Sequence, residues 1–431
     1  MVIYLITTTI MTQYIIKAPN LHNTTIDLPA SKSISNRALI IHALSGGKGI
    51  LKNLSDCDDT KVMVAALEHN PETIDIMAAG TAMRFMTAYL SATPGSHVIT
   101  GTERMLHRPI EPLVNALRRL GADISYEGEE GFPPLRINGS KLDGGDIEIP
   151  GNISSQYISA LLLIAPILEN GLRLHLTGEI VSRPYIDLTL HVMHGFGCQA
   201  EWTDVSTIEV KPQEYQPNDY HIENDWSAAS YWYEIVALSR ANNLSMTLSG
   251  LADSSRQGDS VVKYLFNFLG VKTLFEKTDA PLSDVTLATK PYMPTRFDYD
   301  FIKQPDLAQT LVVTCCAMGI PFRFTGLASL KIKETDRIEA LKTELRKVGY
   351  VISDKNDSEL VWDGERCEPQ SNPAIDTYQD HRMAMAFAPL AITMGEIRIN
   401  DPEVVSKSYP NYWEDLKKAG FTITESLIPT T

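Results

Sequence analysis

The segment KETDRIEALKTELRKVGYVI, Lys333 to Ile352, reads as a helix with both ends marked. Asp336 suits the N-cap, with Glu339 three positions on as its capping-box partner. Ile338, Leu341, Leu345 and Val348 follow at helical spacing, and Gly349 suits the C′ position. The approach to the helix is less settled. Five charged residues of both signs lie between Lys331 and Arg337. A charge run at a helix start is commonly a solvated face. A working surface is the less common alternative, and the rest of the chain has to decide between the two.

The same order of events occurs four times. A basic residue leads into an amphipathic helix that ends near Gly. The four read RPIEPLVNALRRLGADI from Arg108, RPYIDLTLHVMHGFGCQA from Arg183, RQGDSVVKYLFNFLGVKT from Arg256 and RIEALKTELRKVGYVI from Arg337. Their spacing is roughly 75 to 80 residues. Strand-like runs follow, then a second, more apolar helix: SSQYISALLLIAPIL, WSAASYWYEIVALS, PDLAQTLVVTCCAMG and QDHRMAMAFAPLAITMG. Similar pieces precede Arg108 in NRALIIHALS, CDDTKVMVAALE and AGTAMRFMTAYL. The pattern predicts about six βαβαββ-type units. A chain of 431 residues is too long for one ordinary core, and the period is too long for a thin solenoid. Two globular halves of an α/β (α+β) fold are expected. Should the second-helix N-termini converge, their N–H groups would suit an anion.

Hydrophobic content of 44% with 21% charged residues describes a soluble globular protein. The net charge of −15 argues against a nucleic-acid partner, which would need a basic face. Small anionic substrates remain open. Cys57, Cys198, Cys315, Cys316 and Cys367 form no C-x-x-C pair, so neither a disulfide framework nor a zinc site is expected, and a cytoplasmic location fits. Cys315 and Cys316, in TLVVTCCAMG, read as core residues. The longest apolar run, Ile158 to Leu168, is about half a membrane span and holds Pro166, so no membrane partner is expected. MVIYLITTTI lacks a basic n-region and is not read as a signal peptide. Met11 is a second candidate start, because IIKAP soon after it reads as the first strand.

Chemistry-bearing residues gather at helix starts. They include Lys32, Ser33 and Arg37 in PASKSISNRAL, and Gly80, Thr81 and Arg84 in AAGTAMRF. Arg108 follows in HRPI, Ser154, Ser155 and Gln156 in ISSQY, and Ser182 and Tyr185 in SRPY. Asp306, the KETDR run, Asp380, His381, Arg382 and Lys407 complete the set. No Walker A loop, G-x-G-x-x-G fingerprint or G-x-S-x-G elbow occurs. His191 and His194 lack a third metal ligand and read as surface or packing residues.

Taken in order over the full length, PASKSISNRAL, AGTAMR, RPI, SSQ, KETDR and DHRMAM resemble the enolpyruvyl transferase family, and within it the branch acting on shikimate 3-phosphate. The resemblance implies a two-domain inside-out α/β barrel with three repeats per domain. One domain would hold residues 1–29 and 225–431, the other 30–224, with the site in the cleft between them and chain crossings near Leu28–Ala30 and Glu223–Asp225. It implies addition of shikimate 3-phosphate to phosphoenolpyruvate, then elimination of phosphate, a step of aromatic amino acid biosynthesis. No cofactor or metal is implied, and a monomer is expected. Lys32, Gly80, Arg108, Gln156, Arg337, Arg382 and Lys407 would hold phosphoenolpyruvate. Lys32, Ser33, Arg37, Ser154, Ser155, Gln156, Ser182, Tyr185, Asp306 and Lys333 would hold shikimate 3-phosphate. Asp306 would take the 5-hydroxyl proton, Glu334 would act on the methylene carbon, and Lys32 would assist the leaving oxygen. Otherwise Asp306 is a helix cap after Pro305 and Glu334 a surface charge.

The chain departs from the family pattern at Ala30, Ala78, Phe85 and Ser329, where Gly, Asn, Pro and Asn are usual. Two alternatives stay in view. The family's sugar-nucleotide branch, acting on UDP-N-acetylglucosamine, normally has a loop cysteine near R-P, and TGTERMLHRPIEP has none. A degenerate anion-binding copy should have lost acid/base groups, yet Lys32, Asp306 and Glu334 are present.

Overall fold

The computed structural model describes residues 10–239, 244–278 and 280–429. The reading of the first nine residues therefore lies outside it. The chain divides into two compact units. One comprises the segment ending at Leu28, Trp226–Asp253, and the chain from Asp259 onward; the other comprises Pro29–Asp225 and Ser254–Gly258.

Five four-stranded sheets among the described residues share one topology. Thr73–Asp75 pairs parallel with Gly95–Thr100, which pairs antiparallel with Leu135–Gly139, which pairs antiparallel with Asp123–Tyr126. A parallel pair needs a crossover, and here that crossover is the Gly80–Ala92 helix. The same sequence of pairings builds the sheets around Leu172–Thr177, Ser245–Leu251, Phe322–Thr325 and Glu396–Asn400. In the last, Ile10–Lys17 lies between Glu396–Asn400 and Thr422–Pro429, so both ends of the described chain close one sheet. The sixth sheet is a short parallel pair, Leu51–Lys52 with Tyr220–His221.

The crossover helices explain the apolar runs in the sequence. Lys32–Leu44, Gly80–Ala92 and Ser155–Ile164 pack on one another in one unit. In the other unit, Ala308–Met318 packs on both Trp226–Leu238 and His381–Phe387. Helices apolar on every side belong in a core, and all seven residues of His381–Phe387 are buried. Cys315 and Cys316 lie fully inside. The helices that follow each parallel pair are amphipathic. Glu111–Arg119 buries Leu113, Val114, Ala116 and Leu117, and leaves Arg118 and Arg119 exposed.

Helix Arg337–Lys347 matches its expected ends in part. The Asp336 carboxylate accepts from the N–H groups of Ile338 and Glu339 at 3.1 and 3.2 Å. At the other end Gly349 takes φ +91, and the Tyr350 N–H donates to the Leu345 carbonyl at 2.9 Å, closing a Schellman turn. The capping box is only half made. Glu339 pairs with Lys342 at 2.8 Å, one turn along the helix, instead of reaching back. Two other helices begin later than their basic residues suggest. Pro109 precedes a start at Glu111, and after Arg256 a 3-10 turn, Gly258–Val261, precedes Val262–Phe268. No described helix is long and apolar enough to cross a membrane.

Candidate active site

Each unit carries a set of charged and polar side chains at its core-helix starts. In the unit built around Ala308–Met318, Arg337 is the centre. Its side chain is 2% exposed. Its Nε and Nη2 donate to the two oxygens of Asp380 at 2.6 and 3.3 Å, a bidentate pair. Its Nη1 donates to Asp306 and its Nη2 to Glu334, both at 2.9 Å. Lys333 lies 3.3 Å from Asp306, Arg382 3.5 Å from Asp306, and Lys407 3.0 Å from Glu334. Four cations thus share three carboxylates, leaving a local excess of one positive charge.

Burial works against the charge on Asp306, but Lys333, Arg382 and Arg337 outweigh it and hold the carboxyl well below its ordinary range. The same balance raises Arg337, burial again being opposed by Asp380, Glu334 and Asp306. Local structure sets these positions. Lys333 and Glu334 follow the 3-10 turn Ala328–Ile332, Asp306 lies in the 3-10 turn Pro305–Leu307, and Asp380 caps His381–Phe387 by accepting from the Arg382 N–H at 2.9 Å.

In the second unit, Arg37 is 3% exposed and fully committed to neutral acceptors. Its Nε donates to Thr189 Oγ1 at 2.7 Å, its Nη1 to the Ser33 carbonyl at 2.8 Å, and its Nη2 to Ser159 Oγ and the Tyr185 carbonyl at 3.1 Å. The Phe85 ring centroid is 5.3 Å from its Cζ. Burial without a carboxylate partner pulls the guanidinium down to about 10, Tyr185 opposing. A buried cation in that state favours an incoming anion.

Lys32 opens its helix and pairs with the buried Asp59 at 3.3 Å. At the Gly80 helix start, Arg84 donates to the Gly80 and Pro109 carbonyls at 3.0 and 3.2 Å, tying that turn to the segment bearing Arg108. The fit there is close, since a Cβ on Gly80 would stand 2.6 Å from Arg108 Nη1. Gln156 donates to Thr81 Oγ1 at 3.2 Å, and the Ser154 hydroxyl caps its helix through the Gln156 N–H at 3.3 Å. Ser155 is that helix's first residue, and Ser182, at φ +55, precedes Arg183–Gly195. His194 Nε2 lies 2.8 Å from the Ala200 carbonyl.

The expected residues therefore fall into two sets. Asp306, Lys333, Glu334, Arg337, Arg382 and Lys407 form one ion network. Lys32, Ser33, Arg37, Gly80, Arg108, Ser154, Ser155, Gln156, Ser182 and Tyr185 belong to the other unit. Asp59, Ser159 and Thr189, which hold Lys32 and Arg37, were not marked by sequence. Asp59 sits in CDDT, a motif that reads only as an acidic first turn, and Thr189 repeats four residues after Tyr185 on its helix.

A family model described as EPSP synthase (3-phosphoshikimate 1-carboxyvinyltransferase) matches residues 16–70 and 66–416. A 3-phosphoshikimate 1-carboxyvinyltransferase of Bacteroides fragilis is 61% identical, over 95% of this chain and 98% of that protein. One from Shewanella halifaxensis is 36% identical, over 90% and 95%. The solved EPSP synthase of Acinetobacter baumannii superposes with a TM-score of 0.75 at 21% identity, covering 96% of this chain and all of that one, which speaks to the fold. The chain belongs to the EPSP synthase (3-phosphoshikimate 1-carboxyvinyltransferase) family.

Proposed function

We propose that the chain transfers the enolpyruvyl group of phosphoenolpyruvate to the 5-hydroxyl of shikimate 3-phosphate, in the cytoplasm, with residues of both units serving one substrate pair. The observation that carries this reading is the Asp306–Arg337–Glu334 bridge, two carboxyl groups held at 2.9 Å by one buried guanidinium within a cation excess.

The chemistry needs one group to take a proton from a hydroxyl and another to give one to a carbon. Asp306 accepts the 5-hydroxyl proton as that oxygen bonds to C2 of phosphoenolpyruvate. Glu334, taking up a proton from solvent as the substrate anions bind beside it, delivers that proton to the methylene carbon, completing a tetrahedral intermediate. It then removes a proton from the new methyl group as the C2–O bond to phosphate breaks. Phosphate leaves as Lys32 gives a proton to its bridging oxygen, Asp306 gives up the 5-hydroxyl proton through solvent to restore the lysine, and the enol ether remains. No electrons are gained or lost overall, so the balance calls for no redox group.

The substrates bring roughly −5 to −6 into the site near neutral pH. Lys32, Gly80, Arg108, Gln156, Arg337, Arg382 and Lys407 hold phosphoenolpyruvate. Ser33, Arg37, Ser154, Ser155, Ser182, Tyr185 and Lys333 hold shikimate 3-phosphate, with Lys32, Gln156 and Asp306 shared. Arg37 suits the ring carboxylate, because its own partners are all neutral. As the anions draw Lys333 and Arg382 away, Asp306 loses the partners that depress it and becomes a better base. The test is phosphate release from phosphoenolpyruvate with shikimate 3-phosphate, run beside UDP-N-acetylglucosamine. Turnover with the first alone is expected; turnover only with the second, or with neither, overturns the assignment.

A further inference from the structure

We propose that Glu344, far along the helix from the reacting groups, is a positioning residue that clamps the Asp376–Gln379 turn and thereby places Asp380, Arg337 and Arg382. The proposal rests on the function above for what those arginines bind. Glu344 is fully buried, and three donors converge on its carboxylate. Its Oε1 accepts from the Tyr378 hydroxyl at 2.6 Å. Its Oε2 accepts from the Asp376 N–H at 3.1 Å and lies 2.8 Å from Lys347 Nζ.

Lys347 also grips Asp376 Oδ2 at 2.7 Å and the Ala374 carbonyl at 3.1 Å. Asp376 Oδ1 accepts from Asn400 Nδ2 at 2.6 Å, and Asn400 in turn accepts from Gln13 at 2.7 Å. Four of these bonds end on Asp376 or Tyr378, and two others hold the chain just before the turn and orient Asn400. None touches a residue assigned to substrate.

The segment needs holding. Tyr378 and Gln379 are consecutive non-glycine residues at φ +54 and +58. Left-handed backbone is costly for such residues, and it persists where the surroundings over-determine it. The turn delivers Asp380, whose N–H donates to the Thr377 carbonyl at 2.8 Å. Asp380 then grips Arg337 through both oxygens and caps the helix that bears Arg382. Glu344 and Arg337 lie on one helix, Arg337–Lys347. That helix therefore fixes the turn at one end and receives its carboxylate at the other. A slip of the turn would move the two arginines relative to each other.

The test uses the full chain. Glu344→Gln keeps the volume but offers one acceptor oxygen to three donors. The KM for phosphoenolpyruvate should rise roughly tenfold while that for shikimate 3-phosphate changes less than about twofold. Tyr378→Phe, a smaller change at a partly exposed residue, should move the same KM in the same direction. Hydrogen exchange supplies a readout free of turnover: amides of residues 376–382 should exchange faster in Glu344→Gln, and those of Ala308–Met318 should not. A lowered Tm with both KM values and the 376–382 exchange unchanged overturns the clamp. Should the wild-type chain not turn over, the functional reading fails, and the exchange pattern still decides the clamp.

Discussion

Asp306→Asn should slow turnover and tighten anion binding together. In the resting network Lys333, Arg337, Arg382 and Lys407 face Asp306, Glu334 and Asp380. Asparagine keeps the shape and one acceptor oxygen, but removes one negative charge, so the excess doubles from one positive charge to two. Three cations lie 2.9 to 3.5 Å from this carboxylate and would be released to substrate anions. A hydrogen bond to a charged group is worth about 1.5–3 kcal/mol. Regaining part of one such bond predicts shikimate 3-phosphate binding tighter by roughly 5- to 30-fold. The lost proton acceptor predicts a kcat lower by roughly 10²–10⁴. Stability gives a third sign. The folded carboxyl titrates below its unfolded value of about 3.9, so its stabilising contribution is present above that pH and fades as pH falls. The variant should melt below the wild type at neutral pH, and the gap should narrow below about pH 4. Phosphate release, calorimetry with shikimate 3-phosphate, and melts at both pH values read the three effects. Near-normal kcat refutes the base, weaker binding refutes the charge-excess argument, and a gap independent of pH refutes the linkage.

Glu334→Gln should lose kcat by roughly 10²–10⁴ while shikimate 3-phosphate still binds in calorimetry; near-normal turnover would remove Glu334 from the proton path. Gly80→Ala puts a methyl group 2.6 Å from Arg108 Nη1, and the flexible guanidinium must move to relieve it. The KM for phosphoenolpyruvate should therefore rise about tenfold with little change in Tm, and an unchanged KM would show that Arg108 does not bind that substrate. Phe85→Leu removes the ring beside Arg37 and should cost about 1–2 kcal/mol, read as a lower Tm with a raised KM for shikimate 3-phosphate and an unchanged KM for phosphoenolpyruvate.

The fold was legible where one helix or strand answers to its own residues. The apolar runs that became Ser155–Ile164 and Trp226–Leu238 could only be core, and Gly349 could be read as a helix stop from its place after Val348. The site was legible by residue type, since substrates that each carry two anionic groups demand arginine and lysine. Partners were not. Arg337 and Asp380 are 43 residues apart, Arg37 and Thr189 are 152 apart, and neither separation leaves a local pattern. The capping box was half made for a local reason, since Glu339 meets Lys342 three residues on, and that lysine also reaches Asp354 on a strand at 2.6 Å.

The repeated helix starts carry a further distinction that periodicity cannot show. Ser31, Ser154 and Asp380 each cap their own helix with a side chain. Ala79 gives no side-chain cap to Gly80–Ala92. At the capped starts a side-chain oxygen satisfies one or two of the first N–H groups and leaves the others for a ligand or water. At the Gly80 start the N-cap is an alanine, and the Arg108 guanidinium is the group nearest to where a Gly80 Cβ would stand. Leu307 likewise gives no side-chain cap to Ala308–Met318, but only at the first of these two starts does a glycine let a guanidinium stand so close. A helix end beside a guanidinium, in an acidic chain, is a place where positive potential is concentrated locally.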